Sequence, residues 1–337
     1  MHSELPTELE ETTTTEKVRN SIDSLKKPIV IMGAGSLGSL YGGILAEAGQ
    51  DVILIRRSRE YVEAIRERGL RISGLRGDRI IKAKVETDPE RVGQADLILF
   101  TAKSFHTEQA AKDSLAMVGP QTTLLSLQNG VGHIETIANI VGREKVLGGL
   151  STHNAVYVEP GHIRHAMDGL TTIGELDGSV TERVTRISQT LNDAQIKTET
   201  SDNILGGLWT KLLICVSAIT LNGMLDLPGS MMIEIPELRD VIMKAAQEVI
   251  DVARAQGIKL TVDDPMSWLI HIERNHKAGK SSMRQDLEKG ARTEVDAFSG
   301  FIVREGSRLG VPTPYNEALV GIIKGLERKR TSESISP

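Results

Sequence analysis

Cysteine is nearly absent from this chain: Cys215 is the single one among 337 residues. A lone thiol cannot close an internal disulfide, which fits a reducing compartment and makes the cytoplasm the expected location. An excess of positive charge is also missing. The 40 Lys and Arg are outnumbered by 45 Asp and Glu, the formal net charge is −5, and the basic residues are dispersed, so nucleic acid is not an expected partner. No apolar run is long enough for a bilayer. The longest, Leu212 to Leu221, is about ten residues and contains Ser217 and Thr220, where about 20 apolar residues are required; it reads as a core helix, and no membrane partner is expected. Residues 1–27 are rich in Thr, Glu and Lys and lack the apolar centre of a secretory signal, so they read as a polar, mobile extension. What remains is an ordinary globular composition, 39% hydrophobic and 25% charged, with enough length for two domains.

The order of elements defines the first of these. Pro28 to Met32 is a short β-branched run ending at Gly33, and Ser36 to Ala48 has helical apolar spacing. The alternation continues through Asp51 to Ile55, a helix around Tyr61 to Arg68, Asp96 to Thr101, a helix around Glu108 to Met117, and Thr122 to Leu127. Such alternation implies right-handed crossovers and a mainly parallel sheet with helices on both faces. Between them, Leu70 to Glu86 reads as a hairpin turning near Gly77-Asp78. Further short strands are expected from Lys145 to Glu175, with a turn at Pro160-Gly161. From about Asn203 the period is helical throughout. The expected class is therefore α/β: a Rossmann-like, mostly parallel sheet over residues 28–200, an all-helical domain over 201–328, and a charged, Ser-rich disordered tail over 329–337.

Gly33, Gly35 and Gly38 form G-x-G-x-x-G directly between the first strand and its helix. The first glycine makes the tight turn, the second admits a pyrophosphate and the third lets helix and strand approach. The helix N-terminus adds unpaired amides and a favourable dipole, so Gly33, Ala34, Gly35, Ser36, Leu37 and Gly38 are candidate cofactor-binding residues. A purely structural βα turn is the alternative. NAD sites usually carry an acid about 20 residues further on. Here the second strand ends in Arg56 and Arg57, and a guanidinium grips a 2′-phosphate that a carboxylate would repel, which favours NADP(H) with Arg57 as its ligand; a solvated charge run is the bland reading.

Ligands of open α/β sheets sit beyond the carboxyl ends of the strands. Lys103 and Asn129 both follow strands and so share a crevice with the glycine loop, unless they are plain turn or surface residues. Lys211 interrupts an apolar sequence; burial would depress its pKa and make it a proton donor near neutrality, while a lysine snorkelling to solvent is the competing reading. Ser282 with Gln285 matches a helix capping box, or Ser282 binds a carboxylate. Glu294 and Asp296, beside Arg292, would pass for an exposed helix face. Phe298, Phe301, Ile302 and Val303 have helical spacing and serve either a homodimer or, as the favoured reading, an internal core. His153, His162 and His165 lie among strands and turns without a tight acidic constellation, so no metal is expected.

These pieces, in order, comprise GAGSLG, Arg57, Ala102-Lys103, Gln128-Asn129-Gly130 and Gly148-Gly149-Leu150-Ser151-Thr152-His153. They continue with Leu208-Trp209-Thr210-Lys211-Leu212, Ser281-Ser282-Met283-Arg284-Gln285-Asp286, Thr293-Glu294-Val295-Asp296 and Gly310-Val311-Pro312-Thr313-Pro314. Together they resemble the ketopantoate reductase family from about residue 28 to 320. The resemblance implies a Rossmann domain followed by a helical domain, with NADPH-dependent reduction of the small 2-oxo acid 2-dehydropantoate to (R)-pantoate, in pantothenate and coenzyme A biosynthesis, in the cleft between them. It implies that Lys211 is the general acid, that Glu294 is catalytic, hydrogen-bonds the substrate hydroxyl and also contacts the cofactor, that Ser282 binds the substrate carboxylate, and that Lys103 and Asn129 bind and position both substrate and nicotinamide cofactor. The chain departs from the family where asparagines are usual: Cys215 and Ile219 follow Lys211, Pro228-Gly229 replaces an Asn-Gly, and Gly279 precedes the Ser-Ser-Met run. Asn222 and Asn203 are the candidate replacements. These losses open two alternatives, a reductase of a different 2-oxo acid and a weakly catalytic NADPH sensor. Cys215 itself reads as a packed core thiol.

Overall fold

The first strand is buried along its whole length, and so are its neighbours, as expected where helices cover both faces of a parallel sheet. The computed structural model describes residues 25–276 and 280–333. In chain order its strands are β1 (Ile29–Met32), β2 (Val52–Ile55), β3 (Leu70–Gly74), β4 (Arg79–Ile81), β5 (Lys84–Glu86), β6 (Leu97–Phe100), β7 (Thr123–Ser126), β8 (Val146–Ser151), β9 (Asn154–Glu159), β10 (His162–Met167), β11 (Thr171–Glu175) and β12 (Thr198–Thr200). Eight of them form the main sheet in the order β12-β11-β8-β7-β6-β1-β2-β5, and β4-β3-β10-β9 form a side sheet. In the main sheet only β11 with β8 is an antiparallel pair. The order reverses at β1, which lies between β2 and β6, so a crevice opens there at the carboxyl ends of the strands.

Successive side chains alternate between faces. Ile29, Ile31, Leu97 and Leu99 pack with helices α1 (Ser36–Glu47) and α2 (Arg59–Arg68). Val30, Met32, Ile98 and Phe100 pack with α3 (Thr107–Ser114) and α4 (His133–Val141) in a core continuous with the helical half. After α5 (Glu182–Asp193) and β12, every described element is helical. A single 22-residue helix, Ile204–Leu225, opens that half, much longer than the apolar run that announced it. By length and composition it would pass for a membrane span, but 72% of its apolar window is buried within the fold. It comprises α6 (Ile204–Ile214), a π-helical turn (Cys215–Ile219) and α7 (Thr220–Leu225). Then come α8 (Gly229–Glu234), α9 (Pro236–Ala255), α10 (Pro265–Asn275), α11 (Ser282–Glu288), α12 (Ser299–Leu309) and α13 (Pro314–Glu333).

Several boundaries differ from expectation. The hairpin is only β3 with β4; Lys84–Glu86 leaves it to pair in parallel with β2. The end of the polar extension is anchored, since the Lys26 and Lys27 amides donate to Asp96 at 2.7 and 2.9 Å; residues 1–24 lie outside the described part. The last helix continues past Arg328 to Glu333. Phe298 and Ile302 are buried and Phe301 packs edge-on to Trp209, so these residues serve the internal core.

Candidate active site

The glycine loop is shaped by what surrounds it. Gly33 has φ +95°, and a Cβ there would lie 2.6 Å from the Ala102 backbone, so only glycine allows the loop after β1 to meet the loop after β6. The Thr101 hydroxyl donates to the Gly33 carbonyl at 3.0 Å and joins the same two loops. A Cβ at Gly38 would strike Thr101 Oγ1 at 2.4 Å. Gly35 is different: its nearest obstacle would be Arg56 Nη1 at 3.5 Å, which leaves room in front of α1. No side chain caps that helix, so its first amides remain for an anion. The cradle fits a dinucleotide pyrophosphate.

The two arginines after β2 divide the work. Arg56 donates to the Ala34 carbonyl at 3.0 Å and lies over the Tyr61 ring, bracing the loop from behind. Arg57 is 58% exposed and pairs with Asp113 at 3.0 Å, a weak contact that an incoming phosphate can displace.

The remaining candidates fall into two adjoining groups. In one, Lys103 Nζ lies 2.7 Å from Asp286 and 3.3 Å from Glu294. Glu294 is buried, and its other oxygen accepts the Ser104 amide at 2.8 Å, so it is no part of an exposed face. Burial would lower the Lys103 pKa, but the two carboxylates outweigh it and the net shift is upward; burial likewise raises Asp286. Asp296, by contrast, does pair outward, with Arg292 and Lys324.

In the other group Lys211 Nζ donates to Asn129 Oδ1 and to the Ser151 carbonyl, both at 2.8 Å. Burial pushes its pKa below the ordinary lysine value, partly countered by Cys215 and Glu294; it is not a lysine snorkelling into solvent. The π-turn begins four residues later, a local irregularity common at functional sites. Cys215 is fully buried there, with its thiol pushed up to about 11, as befits an unreactive core thiol.

Ser281, not Ser282, caps α11: its hydroxyl accepts the Arg284 amide at 3.1 Å. The Ser282 hydroxyl has no hydrogen-bond partner among the described residues, and Ser282 lies one turn from Asp286, hence on the helix face that reaches Lys103. The candidate replacement amides are otherwise engaged. Asn203 caps α6, while Asn222 accepts the Ser281 amide and donates to the Leu227 carbonyl. Gly279 lies outside the described residues. Gly229 abuts Glu273, whose buried carboxyl is pushed up to about 7 by burial.

Two residues were given no role of their own by sequence reasoning. Gln128 donates to the Ala102 carbonyl at 2.7 Å and to Thr107 at 2.8 Å, fastening the loops that carry Lys103 and Asn129. His133, buried and pushed down to about 4 by its burial, is within 2.9 Å of Ser126 and 3.1 Å of the Gly130 carbonyl. Gln128 was visible beside Asn129; His133 gave no signal beyond its place after Gly130. A correction also concerns the histidines. His153, His165 and Asp168 do form a tight trio, each offering a ligand atom within 4.8 Å of the others, because β10 carries His165 back beside the end of β8. Arg76 takes the Asp168 carboxylate at 2.9 Å, and the Gly169 amide donates to His153 Nδ1.

A dinucleotide cradle after β1 and a buried ammonium held at the ends of β7 and β8 define a Rossmann-type oxidoreductase that uses a nicotinamide cofactor. Residues 29–178 match the family model for ketopantoate reductase PanE/ApbA, and residues 203–327 match the model of its C-terminal domain. The chain belongs to the ketopantoate reductase family. It is 34% identical over 299 residues to a 2-dehydropantoate 2-reductase of Pyrococcus horikoshii, covering 89% of this chain and 97% of that protein. Among solved structures it is similar to a PanE/ApbA family ketopantoate reductase from Ralstonia eutropha JMP134, with TM-score 0.83 and 34% identity over 90% of this chain and 99% of that one. It is also similar to D-mandelate dehydrogenase in a ternary structure with NADH and anilino(oxo)acetate, with TM-score 0.84 and 26% identity over the same shares.

Proposed function

We propose that the protein reduces 2-dehydropantoate to (R)-pantoate with NADPH, as a step of pantothenate biosynthesis, and that Lys211 is the general acid. The observation that carries this reading is the setting of Lys211: an ammonium with two neutral hydrogen-bond partners, at the strand ends that also carry the dinucleotide loop. An ammonium has three protons; two are held by Asn129 and Ser151, and the third is left for a substrate oxygen. The nicotinamide, when bound, supplies the hydride. As the carbonyl carbon accepts it, negative charge grows on oxygen, and Lys211 stabilises that charge and then transfers its proton. Glu294, held by the Ser104 amide and Lys103, accepts from the substrate hydroxyl. Ser282 donates to the substrate carboxylate, and Lys103 and Asn129 position substrate and cofactor. The residues from Gly33 to Gly38 hold the pyrophosphate. Arg57, with no acid in the place usual for NAD, favours the 2′-phosphate of NADPH.

The substrate half of the site has less polarity than the family pattern, because Cys215 and Ile219 replace asparagines and each lost hydrogen bond is worth about 0.5–1.5 kcal/mol. The likeness to D-mandelate dehydrogenase supports a second reading, reduction of a 2-oxo acid with a more apolar side chain. Nicotinamide absorbance during turnover of 2-dehydropantoate and a panel of other 2-oxo acids, with NADPH and with NADH, decides between them. Fast turnover of 2-dehydropantoate with NADPH is expected. Tight NADPH binding with 2-dehydropantoate inert would transfer the assignment to the best substrate of the panel, or to a sensor if none is reduced.

A further inference from the structure

We propose that the 2′-phosphate site is completed from the opposite half of the molecule, by Arg292 together with His106 at the start of α3, so that cofactor selection spans the cleft. The inference rests on the NADPH reading above. Three cationic or ionisable side chains from three parts of the chain lie along α3 and the turn before it. Arg292 lies 4.9 Å over the Phe105 ring, and that ring meets His106 edge-on at 4.7 Å between centroids. Asp113, further along the same helix, holds Arg57. Burial lowers the His106 pKa, and the charges of Arg57 and Arg292 lower it further. Positive charge gathered near one imidazole is unfavourable, and a dianion placed among these groups relieves it. The acids nearby do not fill that role: Asp113 and Asp296 each occupy one exposed guanidinium, Arg57 and Arg292 respectively, in pairs of little worth. Both guanidiniums are more than half exposed and both retain donors for phosphate oxygens. Arg292 also stands two residues before Glu294. A grip on the cofactor by Arg292 therefore draws on the segment that carries the Lys103 contact.

The test compares binding of NADPH and NADH, and of adenosine 2′-monophosphate and adenosine 5′-monophosphate, to the full-length protein and to Arg57→Leu, Arg292→Leu, Arg292→Lys and His106→Ala. Loss of one charge-assisted hydrogen bond should weaken NADPH and the 2′-monophosphate about tenfold in Arg292→Leu, with NADH and the 5′-monophosphate nearly unchanged. Arg292→Lys should fall between wild type and Arg292→Leu, and His106→Ala should show the same selectivity with a smaller loss. If Arg57→Leu loses the preference for NADPH while Arg292→Leu keeps it, or if Arg292→Leu weakens both cofactors alike, the cross-cleft site is wrong and the NADPH reading stands. If the wild-type protein binds the two cofactors equally, the NADPH reading itself fails and the inference falls with it.

Discussion

Two lysines lie in adjoining parts of the candidate site in opposite surroundings. Lys103 stands between the carboxylates of Asp286 and Glu294, which hold its pKa above the ordinary value. Lys211 has only an amide oxygen and a main-chain carbonyl for partners, and burial lowers its pKa. The contrast assigns different work to identical side chains. An ammonium locked between two anions keeps its proton and acts as a fixed charge. One that is buried and hydrogen-bonded only to dipoles releases its proton more readily and can serve as an acid.

Substitution of each lysine sharpens the contrast most. Lys211→Ala should lower kcat about 10²–10⁴-fold while leaving NADPH affinity nearly intact. Lys103→Ala should act chiefly through KM, with a smaller loss in kcat, as expected for a positioning charge. Steady-state kinetics and equilibrium binding check both, and equal losses would break the division. The dinucleotide cradle can be disturbed through Gly38. A valine there collides with Thr101 and should cost about 1–3 kcal/mol in denaturant unfolding, with weaker NADPH binding.

The adjacent serines of α11 separate structure from binding more finely. Ser281→Ala removes the cap and should cost about 1 kcal/mol of stability. Ser282→Ala should leave stability unchanged and raise KM by the worth of one hydrogen bond, about 0.5–1.5 kcal/mol. The smallest effect concerns pH and stability. Because the folded pKa of Lys211 lies below its unfolded value, the unfolded chain binds more protons in the window between them, and stability rises with pH there. That part of the rise should disappear from the unfolding curves of Lys211→Met.

The portion of the fold that sequence revealed is the portion written in local pattern. β1, the glycine loop and α1 follow from a β-branched run, three glycines and helical spacing within twenty residues. Lys84–Glu86 misled because its partner, β2, lies thirty residues back, and nothing local distinguishes a hairpin arm from a sheet edge. The helix carrying Lys211 extends beyond the apolar run Leu212 to Leu221, because Lys211 bounds that run while the helix itself begins at Ile204. In the site, Lys103, Asn129 and Lys211 were legible as polar residues at strand ends or within an apolar run. The burial of Glu294 was not, since it is made by the Ser104 amide, 190 residues away in the chain. The cap of α11 was misplaced by one residue because two serines stand side by side and only backbone geometry chooses between them.

The central claim, that Lys211 and not Lys103 supplies the proton, is tested most directly by the pH dependence of kcat in the direction of NADPH oxidation. Activity should fall as pH rises through a single ionisation below the ordinary lysine value. That limb should persist in Lys103→Met and vanish from the residual activity of Lys211→Met. A limb that survives unchanged in Lys211→Met, or that disappears in Lys103→Met, would contradict the assignment.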